Sequence, residues 1–167
     1  MRTRTKALTV ATVLTVDAAI HLYWATGAIW PAHSLDSLSH AVLNAHVRWD
    51  PPVLLPIAGM LVTGSALLLA RARRRGGRVA ALGSLAVACG LGLRGAAGIV
   101  WITGLGSDPQ TPFYWLNLLA YTPACLVLAP MAFSVATGRR AAGVGRFRTL
   151  RHASARRGGG TAAPAAD

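Results

Sequence analysis

Four long apolar runs constrain this sequence more than any other feature. They cover about residues 7–30, 53–70, 79–105 and 113–136. An uncharged or nearly uncharged run of about 18 or more residues can cross a bilayer as one α-helix. With 53% hydrophobic and only 13% charged residues, the chain is also too apolar for an ordinary soluble domain. The predicted fold class is therefore an all-α integral membrane protein, built as a four-transmembrane-helix bundle.

The first run has an alternative interpretation, because the three basic residues before it resemble the start of a signal peptide. Asp17 and His21 would be unusual in the apolar part of such a peptide, and the run continues to Trp30. These features favour a first transmembrane helix that is retained.

Residues 32–50, between spans one and two, have a different pattern. Ser34 can cap a helix, and Pro51 and Pro52 are expected to stop it. Apolar residues recur there every three or four positions, at Leu35, Leu38, Val42, Ala45 and Trp49. This spacing predicts an amphipathic helix that lies in the membrane interface and does not cross it.

The basic residues orient the four spans. Of the 17 Lys and Arg residues, 15 fall before span one, between spans two and three, or after span four, which is one side of the membrane. The opposite side keeps only Arg48, together with three Asp residues. The positive-inside rule therefore predicts a cell-membrane protein with both termini in the cytoplasm. The single lysine among the basic residues is typical of a high-GC bacterial coding sequence.

The expected domain organisation is a membrane domain over residues 1–137 and a basic cytoplasmic tail over residues 138–167. The tail is rich in Arg, Gly and Ala, a composition that predicts disorder. Its nearly complete lack of aromatic residues disfavours nucleic acid as a partner. The predicted partners are membrane lipids, with anionic headgroups at the arginine-rich side, and a second copy of the chain or another protein. No cofactor is predicted.

Span one carries an acid and an imidazole at membrane depth. Asp17, His21 and Trp24 are separated by four and three residues, so they share one face of a helix. Ionisable groups inside a span are costly, and they normally face the protein interior or a wet cavity.

Spans three and four add further polar residues at a similar depth. A helical rise of 1.5 Å per residue places His21, Arg94 and Tyr121 about 21–23 Å from the cytoplasmic ends, with Asn117 roughly one turn further out. Asp17 is the one acid at membrane depth, so it is the default partner expected for Arg94.

Two interpretations of this polar layer stay open. It could be a buried ion pair with hydrogen-bonding neighbours, or a polar pocket that opens to the outer leaflet. In the second interpretation the candidate catalytic residues are Asp17 and His21. The candidate substrate-binding residues are Trp24, Arg94, Asn117 and Tyr121.

No metal site is predicted. His33, Asp36 and His40 could face one side of a helix, but they form the polar face of a segment that is amphipathic in any case. Cys89 and Cys125 lie in separate apolar runs without a CxxC motif, and both are interpreted as small buried residues.

Three short motifs carry a family resemblance. They are His21-x-Tyr23-Trp24-Ala25-x-Gly27-x-x-Trp30-Pro31, Arg94-Gly95 and Tyr121-Thr122-Pro123-x-Cys125-Leu126. Over roughly residues 8–136 the chain resembles a bacterial family of small four-span membrane proteins, domain of unknown function 3995. The resemblance implies the fold and no activity. Asp17 departs from the commoner apolar residue of the family, so a role for Asp17 would be particular to this chain.

The predicted function is that of a non-enzymatic membrane or assembly component, because the sequence contains no established catalytic motif. One alternative is a small membrane-embedded enzyme that acts on an isoprenoid or other lipid-like substrate by acid/base chemistry, with Asp17 or His21 as proton donor. A second alternative is a transporter component, which would have to be oligomeric because one four-helix bundle encloses little space.

Overall fold

The computed structural model describes residues 2–138, and within them the secondary structure is helical throughout. Helix α1 spans Thr3–Ala25, α2 Leu35–Leu43, α3 Pro51–Ala72 and α4 Gly77–Ile102. The last segment consists of α5 (Pro112–Leu116), a π-helical turn (Asn117–Tyr121) and α6 (Thr122–Ala136). Four helical segments, α1, α3, α4 and Pro112–Ala136, are long and apolar enough to cross a membrane. The predicted fold class is confirmed, while the predicted tail lies almost wholly outside the described residues.

Span one is shorter at its end than the sequence suggested. Helix α1 ends at Ala25, whereas the apolar run continues to Trp30. Gly27 has a φ of +89°, which a right-handed helix cannot contain. The indole Nε1 of Trp24 then donates to the carbonyl oxygen of Trp30 at 3.1 Å, so the chain folds back over the end of its own helix.

The helix predicted over residues 32–50 is limited to Leu35–Leu43. Ser34 caps it as expected, since its hydroxyl accepts a hydrogen bond from the backbone N–H of Ser37. The helix ends at Asn44, whose φ of 53° is left-handed. Pro51 and Pro52 do not stop this helix. They begin α3, because a helix needs no N–H donors in its first turn.

The four spans form a closed ring, in which α1 packs on α3 and α6, and α4 packs on α3 and α6. Two hydrogen bonds join helices at one end of the bundle. Lys6 Nζ donates to Ser134 Oγ at 3.1 Å, and Arg71 Nε donates to the carbonyl oxygen of Ala136 at 3.0 Å. We call this the basic end. The opposite end, which carries α2 and the five tryptophans, is the aromatic end.

Two buried clusters stabilise the bundle. The first joins α1, α3, α4 and α6, and its members are Ala7, Val10, Leu14, Leu68, Ala88, Leu128, Ala132 and Val135. The second lies at the aromatic end and consists of Trp24, Leu38, Trp49 and Leu54. Large apolar side chains such as Leu93, 73% exposed, cover the outside of the ring. Soluble proteins rarely expose so much apolar surface, whereas a lipid-facing surface requires it.

Helices α4 and α6 are in close contact at Gly98. A Cβ atom at this position would overlap the hydroxyl of Thr122 and lie 3.0 Å from the Thr122 Cβ. The Thr122 side chain is buried, and its short branched shape leaves it little freedom to move. Glycine at position 98 therefore sets the spacing of these two helices.

We expect Gly98→Ala to destabilise the bundle by about 1–3 kcal/mol, the usual cost of overpacking a close contact. Gly92→Ala is the matched control, because nothing lies within 4 Å of a Cβ at position 92 of the same helix. Thermal unfolding of the detergent-solubilised protein measures both effects. Equal stability of the two variants would show that the α4–α6 spacing is not set by Gly98.

Candidate functional site

Arg94 lies at the centre of the polar site, on α4. Its Nη2 donates to Asn117 Oδ1 at 2.8 Å. Its guanidinium carbon lies 4.9 Å from the ring centroid of Trp101 and 5.4 Å from that of Tyr121. Both distances are within the range of cation–π attraction. One amide oxygen and two aromatic faces therefore surround the positive charge.

Asn117 is held in place to receive this hydrogen bond. Its side chain is fully buried, and its Nδ2 donates to the carbonyl oxygen of Phe113 at 2.8 Å. With the amide nitrogen bound to the backbone, the amide oxygen is directed at Arg94. Asn117 is therefore buried between the helices and positions the guanidinium of Arg94.

The π-helical turn at Asn117–Tyr121 has a local cause in the sequence. Pro123 has no backbone N–H and its ring conflicts with the carbonyl four residues earlier, so the regular α-helical ladder cannot continue through it. The N–H of Thr122 donates instead to the carbonyl oxygen of Asn117, five residues back. Such single π-turns occur frequently at functional sites. Here the turn carries both Asn117 and Tyr121, two of the three side chains that contact the guanidinium of Arg94.

The expected ion pair between Asp17 and Arg94 does not form. Among the ion pairs of residues 2–138, Asp17 pairs only with His21, and Arg94 has no carboxylate partner. His21 Nδ1 lies 2.8 Å from the backbone oxygen of Asp17 and 3.4 Å from its Oδ1. The pairing of Asp17 with Arg94 was expected because Asp17 is the one acid at this depth. The partner that Asp17 contacts is instead His21, one turn away on the same helix.

Span one therefore forms a second polar group, made of Asp17, His21 and Trp24. The imidazole of His21 packs edge-on against the indole of Trp24, with ring centroids 5.6 Å apart. Trp24 is buried and also packs edge-on against Trp49 at 5.1 Å. Within the described residues, no hydrogen bond or ion pair joins this group to Arg94.

A groove of about 590 Å³ is lined by one residue from each polar group. It lies between α2 and the start of span four, and both Trp24 and Tyr121 line it. Most of its other walls are apolar, including Leu38, Val42 and Leu119. Cavities of about 300–1,000 Å³ with apolar walls and a few polar groups are typical of small-molecule sites. The structure thus places two of the candidate residues, Trp24 and Tyr121, in the wall of one groove, and it does not bring the six into a single cluster.

Sequence reasoning missed Trp101 as a member of the site. Trp101 lies seven residues after Arg94 and so shares its helix face. That spacing could have identified it.

The exposure of one cysteine and the position of His33 differ from what the sequence predicted. Cys125 is buried as predicted, but Cys89 is exposed on the outside of the bundle. His33 does not join Asp36 and His40. It lines the groove, and His46 takes its place beside them. Helical spacing alone could not place His46, because that residue follows the left-handed turn at Asn44.

The four apolar helices and the enclosed polar residues define the class of a small multi-pass membrane protein. Residues 14–132 match a family described as a protein of unknown function (DUF3995), and the chain belongs to this family. The family resemblance predicted from the three motifs is therefore confirmed. No curated protein and no solved structure matches the chain.

Proposed function

We propose that this chain is a non-enzymatic membrane protein that binds one amphipathic molecule with an anionic headgroup. The observation that supports this proposal is the surroundings of Arg94. Its guanidinium has no carboxylate partner among residues 2–138, and its Nη1 is buried without a hydrogen-bond partner in that part of the chain. Arginine is always protonated, and a charge in a low-dielectric site attracts an anion strongly.

The groove supplies the apolar half of the proposed site. Tyr121 lines the groove, and its ring also contacts the guanidinium of Arg94, so we propose that the headgroup of a molecule in the groove reaches the positive charge beside this ring. The apolar walls suit acyl or isoprenoid chains. An anionic lipid therefore matches both the charge and the walls of this site.

We further infer that the protein is bacterial and that its basic end faces the cytoplasm. The alternation of basic residues along the chain supports this orientation. Helix α2 would then lie as an amphipathic helix in the outer interface, and the groove beneath it would open to the outer leaflet. Assembly with other proteins, and a role as an oligomeric transporter component, remain further proposals.

Cysteine labelling in intact cells tests the orientation. In a background with both native cysteines replaced by serine, we expect Gln110→Cys at the aromatic end to react with a membrane-impermeant maleimide. Arg75→Cys at the basic end should react only after the membrane is permeabilised. The reverse pattern would overturn the proposed orientation. Labelling of both cysteines in intact cells would also contradict it, because the basic end would then be accessible from outside the cell.

Lipid analysis tests the binding proposal. Protein extracted with its surrounding lipid should retain phosphatidylglycerol in preference to phosphatidylcholine, as measured by native mass spectrometry. We expect Arg94→Gln to reduce this preference at least about tenfold, because a hydrogen bond to a charged group contributes about 1.5–3 kcal/mol. Ala41→Trp, which places a large side chain in the groove, should reduce retention as well.

Two matched variants control for these changes. Arg48→Gln removes an exposed arginine at the same end, and Leu93→Trp enlarges a residue on the outside of the ring. Both should retain the lipid as the wild type does. Unchanged lipid preference in folded Arg94→Gln, or equal loss in Arg48→Gln, would contradict the proposal.

A second candidate function is supported by the contact between Asp17 and His21. The imidazole of His21, when protonated beside the carboxylate of Asp17 and next to the ring of Trp24, could donate its proton to an isoprenoid-like substrate. This arrangement would make the protein a small membrane-embedded enzyme.

Comparison of cellular lipids tests this enzyme hypothesis. If the hypothesis holds, Asp17→Asn and His21→Ala should each abolish a lipid product that accumulates with the wild type, because each removes the proton donor or its partner. Thr15→Ala, six residues before His21 on the same helix, is the control and should leave that product unchanged. Identical lipid profiles for the wild type and both variants would exclude catalysis by this pair.

A further inference from the structure

We propose that Asp36, His40 and His46 form a binding site for a divalent metal ion of the zinc class. These three residues, which we call the histidine cluster, lie at the aromatic end. Their candidate ligand atoms all lie within 4.8 Å of one another. The two imidazoles are ligands that Zn²⁺ prefers, and the carboxylate of Asp36 supports one of them from its second ring nitrogen. This site is separate from Arg94 and does not depend on the lipid-binding proposal.

The fold brings the cluster together in two steps. Asp36 and His40 are four residues apart on α2 and therefore lie on the same helix face. The left-handed residue Asn44 then ends the helix and reverses the chain. As a result, His46 returns alongside the helix and its ring packs edge-on against that of His40, with centroids 4.3 Å apart.

A buried serine fixes the returning segment. Ser39 is 1% exposed, its hydroxyl donates to the carbonyl oxygen of Ala45, and it accepts from the backbone N–H of Val47 at 2.9 Å. These two hydrogen bonds flank His46 on both sides. The backbone of His46 is therefore held against α2 before any ion binds, which lowers the ordering cost of binding.

The geometry of the two imidazoles fits a shared ion. The Nε2 atoms of His40 and His46 are 3.1 Å apart. Two nitrogen ligands of a tetrahedral Zn²⁺, each at 2.0–2.1 Å, are separated by about 3.4 Å. A shift of a few tenths of an ångström in exposed side chains would therefore admit the ion between them.

Asp36 orients one of these ligands. Its Oδ1 lies 2.6 Å from His46 Nδ1, a distance at which an N–H at Nδ1 donates a hydrogen bond to the carboxylate. The unprotonated Nε2 of His46 is then the atom that faces His40. A carboxylate on the second nitrogen of a ligating histidine is a common support in metal sites.

The charge around the cluster also suits a cation. Arg48 is the nearby basic residue on this segment, and its Nη2 pairs with Asp50 Oδ2 at 2.6 Å. Asp36 makes its ion-pair contacts with the two histidines alone, among residues 2–138. A recess of about 320 Å³ opens beside Asp36 and His46, so water could fill the remaining coordination positions.

Titration with zinc tests the site. The full-length protein, purified in nanodiscs without a polyhistidine tag, should bind one Zn²⁺ per chain by isothermal titration calorimetry. We expect His40→Ala and His46→Ala to weaken binding at least about tenfold, and Asp36→Asn to weaken it about tenfold or more. Co²⁺ should give the visible absorption of a tetrahedral complex in the wild type.

His33→Ala is the matched control, because His33 lies on the same segment but outside the cluster. It should bind zinc as the wild type does. Absence of zinc binding in the wild type would overturn the proposal, as would unchanged affinity in both folded variants, His40→Ala and His46→Ala. His46→Ala should still retain phosphatidylglycerol as the wild type does, because His46 neither lines the groove nor contacts Arg94. Measuring this retention in parallel therefore separates the zinc result from the lipid-binding proposal.

Discussion

The need to satisfy backbone polar groups without water governs this structure. In the hydrocarbon region of a bilayer, backbone N–H and C=O groups must bond within the protein, which leaves helices as the spanning elements of this chain. The rule still holds where Pro123 interrupts the ladder, because the N–H of Thr122 bonds to Asn117 across a π-turn. The same interruption places Asn117 and Tyr121 beside Arg94. The backbone constraint and the polar site are therefore coupled.

Arg94 shows how a charge can be held inside a span without a carboxylate. The amide oxygen of Asn117 and the faces of Trp101 and Tyr121 supply partial negative charge, and they keep the guanidinium inside the ring of helices. These neutral groups do not cancel the positive charge. Tyr121, which contacts this charge, also lines a groove with apolar walls. This combination supports the proposal of an anionic amphipathic ligand.

The sequence predicted much of the candidate site, within limits set by helical geometry. Helix depth and periodicity placed Arg94, Asn117 and Tyr121 near one another, and the structure brings them into contact. Trp101 shares the face of Arg94 and was predictable in the same way. The pairing of Asp17 was not predictable, because counting acids at a given depth does not show which neighbour each side chain reaches. Asp17 contacts His21 on its own helix, at a much lower cost in side-chain ordering.

The sequence by itself determined the four spans, the membrane class, the family and the helix faces that carry the polar residues. These follow from hydrophobic length and helical period, which are local properties of the chain. Only the tertiary structure decided that α1 ends at Ala25, that α2 and span four enclose a groove, and that His46 rather than His33 joins Asp36 and His40. Those outcomes depend on single backbone conformations at Gly27 and Asn44 and on the packing of separate helices, which no local pattern records.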